Sequence, residues 1–188
     1  MDISIVVRRP AWTLAGTLAF AVMLGASATH AADRSFERFY GDFEGQAIST
    51  TNGELSPRDL EVSIGPTDKG FFVKWTAVIY KASGKVKRTA LEVNFARSKR
   101  ERVYRSAMRT NMFGQQVPLD PLEGDPYFWA TIEGDTLSVR GLLIVENGGY
   151  ELQEYNRTLT DDGMALDFVR VRNGERLRTV EGKLIRRR

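Results

Sequence analysis

The sequence has no cysteine. That excludes disulfides, thiolate catalysis, cysteine-ligated zinc and iron–sulfur clusters together. It has one histidine, His30, and this residue lies in a segment that reads as removable. Arg8 and Arg9 are followed by an apolar run from Ala11 to Leu24 and then by the small residues Gly25-Ala26-Ser27-Ala28-Thr29-His30-Ala31-Ala32. Basic, then apolar, then small is the order of a secretory signal peptide. The run is shorter than the roughly 20 residues that span a bilayer. Cleavage is expected after Ala31, with Ala28 as the other candidate, which divides the chain into a signal peptide at 1–31 and one domain at 32–188. The mature chain then has no histidine, so Ser-His-Asp and Cys-His catalysis and histidine-ligated zinc, iron or haem are excluded. No cofactor is expected. Neither is lipidation, which would need a cysteine at the cleavage site. The signal is bacterial in style and predicts a periplasmic or secreted protein with no transmembrane segment after cleavage.

What is present is an ordinary globular composition: 42% hydrophobic, 27% charged, 10% aromatic. Basic and acidic residues number 27 and 24, a net charge of +3. So even a balance argues against a nucleic-acid partner. Helical periodicity is confined to the start, where Phe36, Phe39 and Tyr40 form one apolar face and predict a short N-terminal helix. After it the period is close to two, as in Leu91-Glu92-Val93-Asn94-Phe95 and Met164-Ala165-Leu166-Asp167-Phe168. Turn signals recur at Asp68-Lys69-Gly70, Ser83-Gly84, Glu133-Gly134-Asp135, Asn147-Gly148-Gly149, Asp161-Asp162-Gly163 and Asn173-Gly174. Strands are expected at 43–50, 59–65, 71–81, 86–97, 101–109, 127–133, 136–146, 149–159, 164–172 and 176–186. Consecutive hairpins without crossover helices predict an antiparallel meander. Closing it removes two exposed edges, so the expected fold is an all-β, up-and-down barrel of about 8–10 strands, with a sandwich as the other possibility. The longest break, Thr110 to Pro126, holds Pro118, Pro121 and Pro126 and reads as a lid or a plain connection.

Residues 36–45 read Phe-Glu-Arg-Phe-Tyr-Gly-Asp-Phe-Glu-Gly, which places Gly41-x-Phe43 just after the expected helix. In architecture and in this motif the chain resembles the calycin superfamily, the lipocalins and fatty-acid-binding proteins. Lipocalins have Gly-x-Trp at this point and an arginine late in the chain that covers the tryptophan. Phenylalanine stands in that place here, and the resemblance makes Arg178 the candidate covering residue. Haem-binding barrels of this kind use a histidine near the chain end, which this chain lacks. The resemblance implies a non-enzymatic barrel that takes an apolar or amphipathic, lipid-like ligand.

Candidate ligand-binding residues are Trp75, on a strand face with Phe71, Val73, Ala77 and Ile79, and Trp129, beside Tyr127. Tyr155 and Arg157 share a strand face, as do Phe168, Arg170 and Arg172. Fatty-acid-binding proteins hold a carboxylate with Arg and Tyr inside the barrel, and the resemblance gives Arg157 and Arg170 that role. The same spacing also suits arginines that face water opposite a buried face. Residues 81–109 carry a local charge of +8, and Arg97, Lys99, Arg100 and Arg102 form a surface basic patch at a hairpin tip. That patch suits an anionic envelope surface or a protein partner, which is the alternative function. It equally suits a solubilising edge. The carboxylates Glu133, Asp135, Asp161, Asp162, Asp120, Glu123 and Asp125 fall in turns or the long loop and mark no catalytic pair or metal site.

Overall fold

The computed structural model describes residues 36–81, 83–106, 109–110, 116–117 and 119–187, without the side chains of 109, 110, 116 and 117. The expected signal peptide, Asp33 to Ser35 of the N-terminal segment, and most of the long break lie outside the described residues. Among the described residues twelve strands follow one another: β1 (Gly41–Thr51), β2 (Glu54–Thr67), β3 (Gly70–Tyr80), β4 (Val86–Arg97), β5 (Val103–Ser106), β6 (Arg109–Thr110), β7 (Gln116–Val117), β8 (Tyr127–Glu133), β9 (Thr136–Ile144), β10 (Tyr150–Leu159), β11 (Gly163–Arg172) and β12 (Glu175–Arg186). All but β6 and β7 form a closed antiparallel barrel in the order β1-β12-β11-β10-β9-β8-β5-β4-β3-β2. Pairing of β1 with β12 closes it, from Phe43↔Arg186 to Thr50↔Thr179. The ten-stranded meander is the all-β barrel that the period-two pattern predicts.

Two features depart from expectation. The short N-terminal helix is not formed: among the described residues that region has only a 3-10 turn, Glu37–Phe39, and a second such turn spans Pro121–Glu123. One turn suffices because Phe36 and Phe39 reach the barrel end directly and are 6% and 0% exposed. The long break contains the β6–β7 ladder and the Pro121–Glu123 turn, whose Asp120 carboxylate caps it by accepting from the Leu122 N–H at 2.9 Å.

Tight turns join the strands where the chain tolerates positive φ. Asn52 (φ 50°) with Gly53 (φ 80°), and Asn173 (φ 49°) with Gly174 (φ 87°), close two-residue hairpins of the type that matches strand twist.

The two ends of the barrel differ. At one end Phe36 stacks on Phe71 at 5.3 Å between ring centroids, and Tyr104 meets Phe71 edge-on at 5.1 Å. Phe43, Phe95, Met164 and Leu184 are at most 1% exposed, so this end is filled. Arg186 covers it, its guanidinium 4.5 Å from the Phe43 ring centroid, and it donates to the backbone carbonyls of Arg38 and Tyr40. The covering arginine is therefore Arg186 and not Arg178. The register places Arg186 opposite Phe43, whereas Arg178 lies at the other end of β12, with Nε donating to Thr51 Oγ1 at 3.2 Å.

That other, open end is less tightly packed. Inward positions Trp75, Ala77, Ile79, Gln153, Tyr155 and Phe168 are only half-buried, although their strand faces continue those of the core. There β4 pairs with β5 only over Phe95–Arg97, so Val86–Asn94 has no ladder partner on that side among the described residues.

Candidate functional site

Register brings four of the sequence-predicted ligand residues together in the lumen. On β10, Tyr155 pairs with Phe168 and Arg157 pairs with Leu166 of β11. Their inward parity follows from Leu137, Val139 and Leu166, all core residues beside them. Across the lumen Trp75 projects from β3, its ring 4.9 Å from that of Tyr155, which in turn lies 4.5 Å from Phe168. The Arg157 guanidinium carbon sits 5.1 Å from the Trp75 ring centroid and 5.3 Å from that of Tyr155.

Arg157 is 0% exposed, and its Nε, Nη1 and Nη2 have no hydrogen-bond partner among the described residues. Guanidinium groups are rarely buried without a carboxylate, because desolvation of the charge is costly. The two ring faces return only about 2 kcal/mol of that cost. Burial holds the Arg157 pKa well below its ordinary value, down to about 10, with the neighbouring Tyr155 opposing the shift. Burial likewise pushes the Tyr155 hydroxyl above its ordinary value.

Arg170 is differently placed. It shares the inward face one step nearer the mouth and meets Glu151, which is 2% exposed: Nη2 donates to Oε2 at 2.5 Å. Arg172 donates to the same oxygen at 3.0 Å, Gln153 donates to Oε1 at 2.8 Å, and the Tyr155 hydroxyl donates to Gln153 at 2.8 Å. Burial alone would raise the Glu151 pKa, but hydrogen bonds from Arg170, Gln153 and Arg172 outweigh it and hold the carboxyl below its ordinary value. Of the two candidate arginines, Arg170 thus has its counter-charge, and Arg157 has none among the described residues.

Trp129 does not join this group. On β8 the inward positions are Phe128, Ala130 and Ile132, so odd residues point out. Trp129 stands on the outer wall opposite Arg105 and Arg140, 6.3 Å from the ring of Tyr127. Adjacent aromatic residues do not reveal which of them points inward; the parity of the neighbouring residues on the strand does. Arg97, Lys99, Arg100 and Arg102 are exposed on the β4–β5 turn at the filled end. Lys81, Lys85 and Lys87 of the same basic stretch lie at the open end, because β4 runs the height of the barrel. The +8 segment is therefore split between the two ends.

One inward-facing basic residue is not among those the sequence singles out. Arg58 of β2 is 8% exposed and continues the inward face of Leu60, Val62 and Ile64. The row Arg58, Leu60, Val62, Ile64 alternates with polar residues and was the available signal. Among the described residues there is no group of three or more acidic or histidine side chains placed to hold a metal.

The structure is a closed ten-stranded antiparallel barrel. No family model matches the chain, and no curated protein matches it. A solved structure, the S-type phycobiliprotein lyase CPES from Guillardia theta, is similar at a TM-score of 0.36 and 9% identity, over 81% of this chain and 90% of that one. At that distance nothing of the lyase's activity transfers to this chain.

Proposed function

We propose that this protein is an exported, non-enzymatic barrel that binds an amphipathic small molecule, with the ligand's anionic group on Arg157 and its hydrocarbon against Trp75, Tyr155 and Phe168. The observation that carries the reading is the fully buried Arg157, with three nitrogens lacking hydrogen-bond partners among the described residues, set against the half-buried rings of Trp75 and Tyr155. Pockets for small molecules are mostly apolar with a few placed polar groups, and a guanidinium pairs well with a carboxylate. The order of charges and apolar residues in 1–31 supports export to the periplasm or beyond. The outer wall is water-facing: the ion pairs Lys74–Glu92, Arg88–Glu61 and Arg140–Glu154 lie across it, unlike the apolar band of a barrel set in lipid.

The test compares dodecanoate with its methyl ester, titrated against the purified protein by calorimetry and by the fluorescence of Trp75. The acid is expected to bind at least about tenfold more tightly than the ester, which corresponds to about 1.4 kcal/mol, and Arg157→Met to abolish the difference. Equal affinity of acid and ester, or no binding of either, overturns the proposal.

The exposed turn that carries Arg97, Lys99, Arg100 and Arg102 supports a second reading, docking on an anionic envelope surface or an acidic protein. Within the turn Lys99, Arg100 and Arg102 stand with a single acidic residue, Glu101.

A further inference from the structure

A second group of polar atoms at the open end has no ligand assigned to it. Arg58 of β2, Ser49 of β1 and Arg178 of β12 come from three adjacent strands. Ala47 pairs with Arg58, Ser49 is the next inward residue along β1, and Thr51, the next again, accepts from Arg178. All three line a cleft of about 690 Å³ at the barrel rim, together with Ile79 and Lys87. Ser49 is 1% exposed and Arg58 is 8% exposed, yet Ser49 Oγ and Arg58 Nε have no hydrogen-bond partner among the described residues. The carboxylate on this cleft is Glu54, which is exposed.

We infer that Arg58, Arg178 and the Ser49 hydroxyl form a second anion-binding site at the rim, one that takes a phosphate group. Two guanidinium groups face one cleft and repel each other. Burial first, and then the charge of Arg178, weakens the hold of Arg58 on its proton. A dianion between them removes the repulsion and supplies acceptors to donors that have none. Two positive charges match the charge of a phosphate monoester, whereas a carboxylate would neutralise one of them. Donors arriving from three strands suit the tetrahedral arrangement of phosphate oxygens better than the planar pair of a carboxylate. The site is distinct from Arg157 and does not depend on the ligand proposed for it.

The phosphate has two possible sources, free inorganic phosphate or the headgroup of an amphiphile whose chain continues into the lumen. Calorimetric titrations with inorganic phosphate and with dodecyl phosphate separate them. Wild type is expected to bind both, and the Arg58→Met/Arg178→Met double variant to lose at least tenfold in affinity for each. Ser49→Ala, which leaves both charges in place, is expected to lose about threefold. Arg157→Met is expected to keep its affinity for inorganic phosphate, so this site and the carboxylate site fail or stand separately. Tighter binding of dodecyl phosphate assigns the site to a lipid headgroup, and equal binding assigns it to the free ion. A thermal melt matching wild type shows that the double variant is folded. Unchanged phosphate affinity in that variant, or no phosphate binding by wild type, overturns the inference.

Discussion

Arg157 sets the energetic terms at the scale of single residues. The folded protein holds its proton less tightly than the unfolded chain does, because burial brings the pKa down to about 10. The destabilisation is therefore fully present below about pH 10 and relaxes only above it, and it is on the order of 3 kcal/mol. A methionine of similar length removes the buried charge without opening a large cavity. Arg157→Met is expected to raise the stability of the ligand-free protein by about 1–4 kcal/mol, read as a higher midpoint in urea, while it removes carboxylate discrimination. A fall in stability would show that Arg157 has an internal partner and is structural. Glu151 works in the opposite direction. Its pKa is lowered in the folded state, so its contribution is complete above its ordinary value near 4.5 and is lost as the pH falls through the lowered value. Glu151→Gln is expected to cost about 1.5–3 kcal/mol at pH 7 and to flatten the acid side of the stability curve, measured by urea unfolding between pH 3 and 7.

At the scale of elements, β12 carries the closure. A Cβ on Gly45 of β1 would lie 2.0 Å from the Lys183 carbonyl oxygen, and one on Gly163 of β11 would lie 2.0 Å from that of Leu184. Both neighbours are backbone, so neither can turn away as a side chain would. Glycine at these two points lets β12 be held closely from both sides where the barrel bends. Gly45→Ala is expected to destabilise by about 1–3 kcal/mol, with faster amide exchange along β1 and β12 and little change along β8 and β9. Uniform loss of protection across the barrel would count against a local role. The filled end depends on the same pairing, since the β1–β12 register is what sets Arg186 over Phe43.

For the whole molecule, both ends carry basic residues, but in different settings. The open end presents the arginines of the lumen and rim, and the filled end presents the turn with Arg97, Lys99, Arg100 and Arg102. If that turn docks the barrel on an anionic surface, the open end faces away from it, free to exchange ligand. Arg100→Glu/Arg102→Glu is expected to weaken co-sedimentation with vesicles of phosphatidylglycerol at least tenfold at low salt, and to leave dodecanoate binding unchanged. Wild type that does not sediment with such vesicles, or a variant that sediments equally, removes the docking role.

Much of this barrel is legible in the sequence. The alternation of Leu91, Val93 and Phe95, and of Met164, Leu166 and Phe168, together with closely spaced turn residues, yields antiparallel hairpins because side chains alternate faces and no crossover helix intervenes. Closure follows from the need to pair the outer edges. The absence of cysteine and of histidine beyond His30 excludes whole classes of chemistry before any coordinate is known. The same alternation shows that Tyr155 and Arg157 share a face, but a period of two leaves open which face is inside. Packing decides that: Arg157 comes to lie among Leu137 and Leu166, and Trp129 on the outer wall. The long-range register likewise puts Arg186 on Phe43, sends Arg178 to the rim beside Arg58 and Ser49, and supplies Glu151 to Arg170, while Arg157 has no hydrogen-bond partner among the described residues. Local sequence specifies strands and their two faces because those depend on neighbouring residues. Which arginine is neutralised depends on residues far apart in the chain, brought together only when the barrel closes.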